Sequence, residues 1–319
     1  MNARPCRGCR GALPGAAALV LLLAAACSTA PKKTEVVVET RNQAAEATQA
    51  GNSYYRQGRY DLALRFFTQA LEYSTSVDNL EGVIQSSNSI GKVSMALGAF
   101  ADAEKLFSRA LAQAGDRLDL AALSASNLGE LYMRTGDYQK ALDVFDRLLA
   151  AESAKTGSGL TGAQRALLLH NRGTAYKNLG ELKKAREDLS SSLAMNLAAR
   201  LVEEAAADYY VLASLDAKEG DLESAKKNAE LALSLDKKVE NSLGIAKDLY
   251  ALGVISSRRG DTAAAYDYLR RSYLVSATLS MRADMQRALV ELIAAAEALG
   301  RTEEAADYRK TLMELGPSS

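Results

Sequence analysis

Glycine recurs along this chain at nearly one interval: Gly58, Gly98, Gly136, Gly180, Gly220, Gly260 and Gly300. The gaps run 40, 38, 44, 40, 40 and 40 residues. An alanine stands five positions after each glycine: Ala63, Ala103, Ala141, Ala185, Ala225, Ala265 and Ala305. A fixed period of this size restricts the fold to a solenoid, in which one small unit stacks on copies of itself. A length of 319 residues would otherwise suggest two ordinary domains, but a solenoid grows by addition and does not split into globules.

The columns around each glycine say what the unit is. Seven residues before it stand Gly51, Gly91, Gly129, Gly173, Ala213, Gly253 and Ile293. Nine after it stand Phe67, Phe107, Phe145, Leu189, Ala229, Leu269 and Arg309, and twelve after it Ala70, Ala110, Leu148, Ser192, Ala232, Ser272 and Leu312. Small or apolar residues at five, nine and twelve follow the i, i+4, i+7 rule of one helix face. Those at minus seven, with Tyr54, Ser94, Tyr132, Tyr176, Asp216, Ser256 and Ala296 at minus four, lie on another helix. Each unit is therefore helix A, a turn at the glycine, and helix B, each helix about 17 residues and near 25 Å long. Gly136-Asp137, Gly220-Asp221 and Gly260-Asp261 carry the turn chemistry: glycine ends helix A in a left-handed conformation and aspartate caps helix B. The glycines inside helix A each cost about 1 kcal/mol relative to alanine. Close approach of helix B explains them, with Ala63 and its equivalents opposite and the phenylalanines filling the space beside.

The chain is thus expected to be all-α, a right-handed solenoid of stacked antiparallel helix pairs with about seven units. Their bounds fall near 44–83, 84–121, 122–165, 166–205, 206–245, 246–285 and 286–319, making 44–319 one repeat domain. The last units are degraded, with Arg309 in the aromatic column, so the seventh is expected to act as a solvent-facing cap.

Residues 1–26 read as a secretory signal. Arg4, Arg7 and Arg10 precede a small apolar run whose core is Ala16 to Ala26, too short to span a bilayer comfortably. Removing it takes away three arginines and no acids, leaving 36 basic and 39 acidic residues, a net charge of −3. Cys6 and Cys9 form a C-x-x-C only within the discarded segment, so Cys27 is the sole mature cysteine and no internal disulfide is possible. Residues 27–43, including STAPKKTEVVVET at 28–40, read as a tether. Thirteen extended residues reach at most roughly 45 Å.

Two resemblances follow. Leu23-Ala24-Ala25-Ala26-Cys27 resembles the exit of bacterial lipoprotein precursors, with Ala24 where leucine is usual. That implies lipidation (palmitate) at Cys27 and a membrane-anchored protein of the bacterial envelope, facing the periplasm. The repeat columns resemble the tetratricopeptide repeat, most clearly in NLGELYMRTGDYQKALDVFDRL at 127–148. The likeness spans roughly residues 44–315. Units near 40 residues are similar to the longer variants of kinesin light chains and several bacterial regulators, the common unit having 34.

The tetratricopeptide resemblance implies a concave face lined by A helices, with partner contacts around the helix-A glycine. Here those positions are Asn52, Asn88, Lys92, Asn127, Glu130, His170, Asn171, Thr174, Lys177 and Tyr210, with Ser214 and Tyr250 beyond. Asn127 and Asn171 stand where peptide-binding members hold a ligand backbone, since one amide both donates and accepts. The lysine–asparagine–arginine clamp for a C-terminal carboxylate is not legible, with Thr48 and Ser89 in its places.

Other chemistries lack their residues. Gly157 to Gly162 spells G-x-G-x-x-G, but it follows a helix and no βαβ unit, so it reads as a flexible connector. His170 is the only histidine, which excludes a histidine metal cluster or a Ser-His-Asp triad. Glu203-Glu204 and Glu303-Glu304 are ordinary solvated charge. Near-neutral charge offers no footprint for nucleic acid. The expectation is a non-enzymatic, cofactor-free scaffold that holds a protein or peptide for a cell-envelope complex. The alternative is a ligand-binding accessory of a solute transporter, with Tyr210 and Tyr250 lining a pocket.

Overall fold

The computed structural model describes residues 33–154 and 159–316. The signal segment, Cys27, residues 155–158 of the glycine-rich connector and the last three residues lie outside them. Fourteen helices and no strands are found among the described residues. The first helices of the pairs are α1 (Lys33–Arg56), α3 (Leu80–Ala96), α5 (Leu118–Thr135), α7 (Gly162–Leu179), α9 (Val202–Glu219), α11 (Ser242–Arg258) and α13 (Arg282–Ala298). The second helices are α2 (Tyr60–Ser76), α4 (Phe100–Ala114), α6 (Tyr138–Ala154), α8 (Leu182–Ala199), α10 (Leu222–Lys238), α12 (Thr262–Thr278) and α14 (Thr302–Leu315). The stacked antiparallel pairs follow the glycine period. The first departs from the tether reading: residues 33–43 are already helical, the opening turns of α1. Val36 and Val38 sit in it 57 % exposed, as part of the opening turns of the first helix.

All seven turn glycines adopt φ between 70° and 89°. Nothing lies within 4 Å of a Cβ placed on any of them, so the backbone conformation and not space demands glycine there. The residue after each glycine donates its N–H back into the ending helix, as from Asp137 to the Tyr132 carbonyl at 2.8 Å. Asp221 and Asp261 then cap α10 and α12 by accepting from the N–H of Ser224 and Ala264.

The helix-interior glycines answer to crowding. A Cβ on Gly51, Gly91 or Gly129 would lie 2.6, 2.4 or 2.0 Å from the rings of Phe67, Phe107 and Phe145. The ring thus rests on the glycine itself, a tighter fit than filling the space beside it. Leu189 and Leu269 take the same place against Gly173 and Gly253. All seven alanines of the repeat are fully buried, as are the three rings, each ring contributing about 2–3 kcal/mol by its burial.

Consecutive first helices touch one another from α1 through α13, whereas consecutive second helices do not. The first helices are therefore the crowded, inner side of the curve and the second helices the spread, outer side. α14 buries only Ala305 and leaves Met313 73 % exposed, as a terminal cap does. No helix among the described residues is long and apolar enough to cross a membrane.

Candidate functional site

The inner face is built by a simple rule. A residue ten before the turn glycine of one first helix meets the residue twelve before the glycine of the next. At α3–α5 the pair is Asn88 and Ser124, with Nδ2 donating to Oγ at 2.8 Å. At α7–α9 it is His170 and Asp208, with Nδ1 and Oδ1 2.7 Å apart.

This packing corrects two of the expected groove residues. Asn88 and Asn127 are 1 % and 5 % exposed. Asn127 Nδ2 donates to Asn88 Oδ1 at 2.8 Å, and Asn88 Nδ2 also reaches the Ile84 carbonyl. Both amides are occupied between helices and present nothing to a ligand. Asn52, Lys92 and Glu130 are exposed on α1, α3 and α5, well separated along the chain. Lys92 lies over the Tyr55 ring at 5.8 Å.

The remaining residues converge on α7 and α9. A cavity of about 400 Å³ opens between these helices, walled by Leu167, His170, Asn171, Asn196, Leu201, Glu204 and Ala207. That lies within the range of ligand sites. Leu167 is 44 % exposed there, a large apolar side chain on an inner face. His170 is held from behind: Asp208 is fully buried and also accepts from Ser192 Oγ at 3.0 Å and Asn196 Nδ2 at 2.8 Å. A carboxylate at Nδ1 keeps a proton on that nitrogen. Nε2 is then the ring nitrogen without a partner among the described residues.

Thr174 and Lys177 continue the face of α7 that carries His170, at i+4 and i+7. Thr174 Oγ1 is buried without a hydrogen-bond partner. Lys177 Nζ donates to Ser214 Oγ at 3.2 Å, and Lys218 Nζ donates to the Lys177 carbonyl at 2.9 Å. Burial first, and then the ammonium of Lys218, hold Lys177 below its ordinary pKa. Tyr210 and Tyr250 flank a gap of only about 10 Å³, shared with Lys247 and Arg287. The expected tyrosine-lined pocket is too small for a ligand, because neighbouring first helices pack it shut. Burial pushes both phenols up.

Three important residues had gone unremarked in the sequence. Arg172 joins three helices, forking onto Asp188 at 2.7 and 2.8 Å and reaching Asp146 at 2.8 Å; these bonds hold its guanidinium above the ordinary value. Asp208 and Asp248 sit one period apart inside first helices, both buried. Aspartates repeated in register at a core position were the available signal. Asp248 faces Asp236, and burial followed by that neighbouring charge pushes it up to about 8. Asp236 is also raised, chiefly by burial, while Asn241 donates to it at 3.0 Å. No group of three or more histidines, cysteines or acids that could hold a metal occurs among the described residues.

A tetratricopeptide repeat model matches residues 43–116 and 119–198, and a second model of the same description matches 209–239, together more than half of the chain. A search of curated proteins finds no match. Among solved structures, the chain is similar to a Rap protein complexed with Competence and Sporulation Factor, at 15 % identity, TM-score 0.64, covering 86 % of this chain and 74 % of that one. Aspartyl phosphate phosphatase F from Bacillus subtilis also gives 0.64, at 11 % identity over 95 % of this chain and 76 % of the other. PilW, a widely conserved type IV pilus biogenesis factor, gives 0.53 at 20 % identity, over 76 % and 96 %. At these identities the likeness is one of fold.

Proposed function

This chain belongs to the tetratricopeptide repeat family, and we propose that it is a lipid-anchored envelope scaffold that binds a protein or peptide on its inner face. The observation that carries this reading is the open cavity between α7 and α9, where an exposed leucine, a histidine fixed from behind and the amide of Asn171 meet. Apolar walls with a few oriented polar groups suit a side chain flanked by peptide units. A fold shared with a Rap protein complexed with Competence and Sporulation Factor is consistent with an inner face that takes a partner. The likeness to a pilus biogenesis factor supports an envelope role.

The anchor is assigned to Cys27, within a lipoprotein-like exit, and it sets the repeats facing the periplasm. Labelling with a radioactive fatty acid should mark the wild type and not Cys27→Ala; equal labelling would refute the anchor. Capture from solubilised envelope should recover one stoichiometric protein with the wild type and lose it with Leu167→Glu. Retention of that protein by the variant would move binding off the inner face.

A further inference from the structure

We propose that this chain associates head to tail: the last second helix of one copy, α14, docks in a groove on α1 and α2 of a second copy and continues the stack. The joint uses only the two ends of the solenoid, so it stands apart from the partner on the inner face.

Interior joints are closed by the residue thirteen after each turn glycine. Leu149 and Leu233 are buried there. Leu111, Leu193 and Tyr273 pack into core clusters that include the following first helix. In α14 the same column holds Met313, exposed because no helix follows it among the described residues. A finished cap presents a polar outer face, and a thioether leaves this one open to a further unit.

The other end is open in the complementary way. In the third unit a groove floored by Tyr132 has Leu111 of α4 on one wall and Val144 of α6 on the other. Tyr54 and Phe66 occupy the columns of Tyr132 and Val144 in the first unit, in a groove of about 780 Å³. Their rings stack with centroids 5.4 Å apart. Among the described residues no second helix precedes α1 to supply the wall that carries Leu111.

Contacts already made within the chain say how the two ends meet. Between α12 and α14, Tyr273 lies edge-on to Tyr308, eight after its glycine, at 6.3 Å. The same columns bring Met313 of one copy onto the Phe66 ring of the next, a thioether–aromatic contact. Glu223, three after its glycine, pairs with Arg259, one before the following glycine, at 2.7 Å. Glu303 is the corresponding acid of the last unit, and its column meets Gln57, which lies between Arg56 and Arg59. None of these three charges has an oppositely charged partner among the described residues. The tail thus carries the apolar and the charged columns that the groove lacks, which selects a second copy as its occupant. Such a pairing is heterologous, so it builds chains or rings and does not stop at two copies.

The test is sedimentation velocity of the chain from residue 27, with Cys27→Ala to remove the lipid site and every repeat present. Over about 1 to 300 µM, where one weak joint becomes populated, the mean mass should climb past that of a dimer. Met313→Glu and Phe66→Glu should each weaken association about tenfold or more, and the exposed Met313 position should leave melting near the wild type. Mixed in equal amounts, these variants retain one intact tail and one intact head, so they should form a dimer and grow no further. Arg59→Glu replaces Phe66→Glu as the blocked head if that variant fails to fold. Association unchanged in Met313→Glu, or an assembly of the wild type that stops at two copies, would overturn the head-to-tail joint. A chain that stays monomeric throughout would overturn it as well and leave the α1–α2 groove to a different protein.

Discussion

At the joint of α7 and α8 with α9, Asp208 accepts from His170, Ser192 and Asn196. One period later Asp248 occupies the corresponding place, and the three donor positions hold Tyr210, Ala232 and Asp236. The backbone lattice is the same and the chemistry is opposite. Asp208 is surrounded by donors, whereas Asp248 meets a second carboxyl, and burial with that neighbour pushes its pKa up to about 8, with Oδ2 left unpartnered. The difference shows what a repeat fixes and what it leaves open. Period and helix pairing decide where a buried polar group goes. The residues one unit away decide its charge, and so whether the joint is held or merely tolerated.

Removing the well-satisfied acid should do the most damage. Asp208→Ala leaves three donors facing a void and should cost about 3 kcal/mol, read as faster hydrogen exchange in α7 and α9 with the distal units little changed. Equal loosening of every unit would mean that stability does not divide by joint.

The second joint should respond in the other direction. Between the ordinary carboxyl pKa and about 8, folded Asp248 keeps a proton that the unfolded chain has released. Stability therefore falls as pH rises through that window, by up to about 1.4 kcal/mol per pH unit, and levels off above it. Asp248→Asn preserves the shape and supplies a permanent donor to Asp236. It should flatten that decline and raise stability near pH 8 by about 2 kcal/mol. An undiminished pH slope in the variant would assign the titration elsewhere.

A smaller effect separates the amide pair of the earlier units from Asn171 in the cavity. Asn127→Ala strands the carbonyl oxygen of Asn88 and should cost about 1–2 kcal/mol. Asn171→Ala should leave melting nearly unchanged and weaken partner binding. The reverse pattern would exchange their roles.

Much of the fold was legible because its determinants are local. The glycine interval, the left-handed turns and the alanine columns each depend on a helix and its immediate neighbour. The site was less legible. Asn127 and Asn171 stand in the same column, nine before their turn glycines, yet only Asn127 is buried. The cause is Asn88 on α3, which accepts its amide; α5 offers no such bond to Asn171. Side-chain fate here depends on a residue about one unit away, which no column displays. The expected tyrosine pocket failed for the same reason, since the fit of α9, α11 and α13 closed it. The start of α1 was only partly legible, because the polar and valine-rich residues there carry no apolar stripe and could equally begin the helix or dock onto it.

The proposed partner lies on the inner face between α7 and α9. A photo-crosslinking residue placed at Leu167, exposed on that face, tests it against the same residue at Leu231, exposed on outer helix α10. In envelope-bearing cells, one discrete protein adduct should form from position 167 and none from 231. An adduct from 231 alone, or from both positions equally, would remove the partner from the inner face.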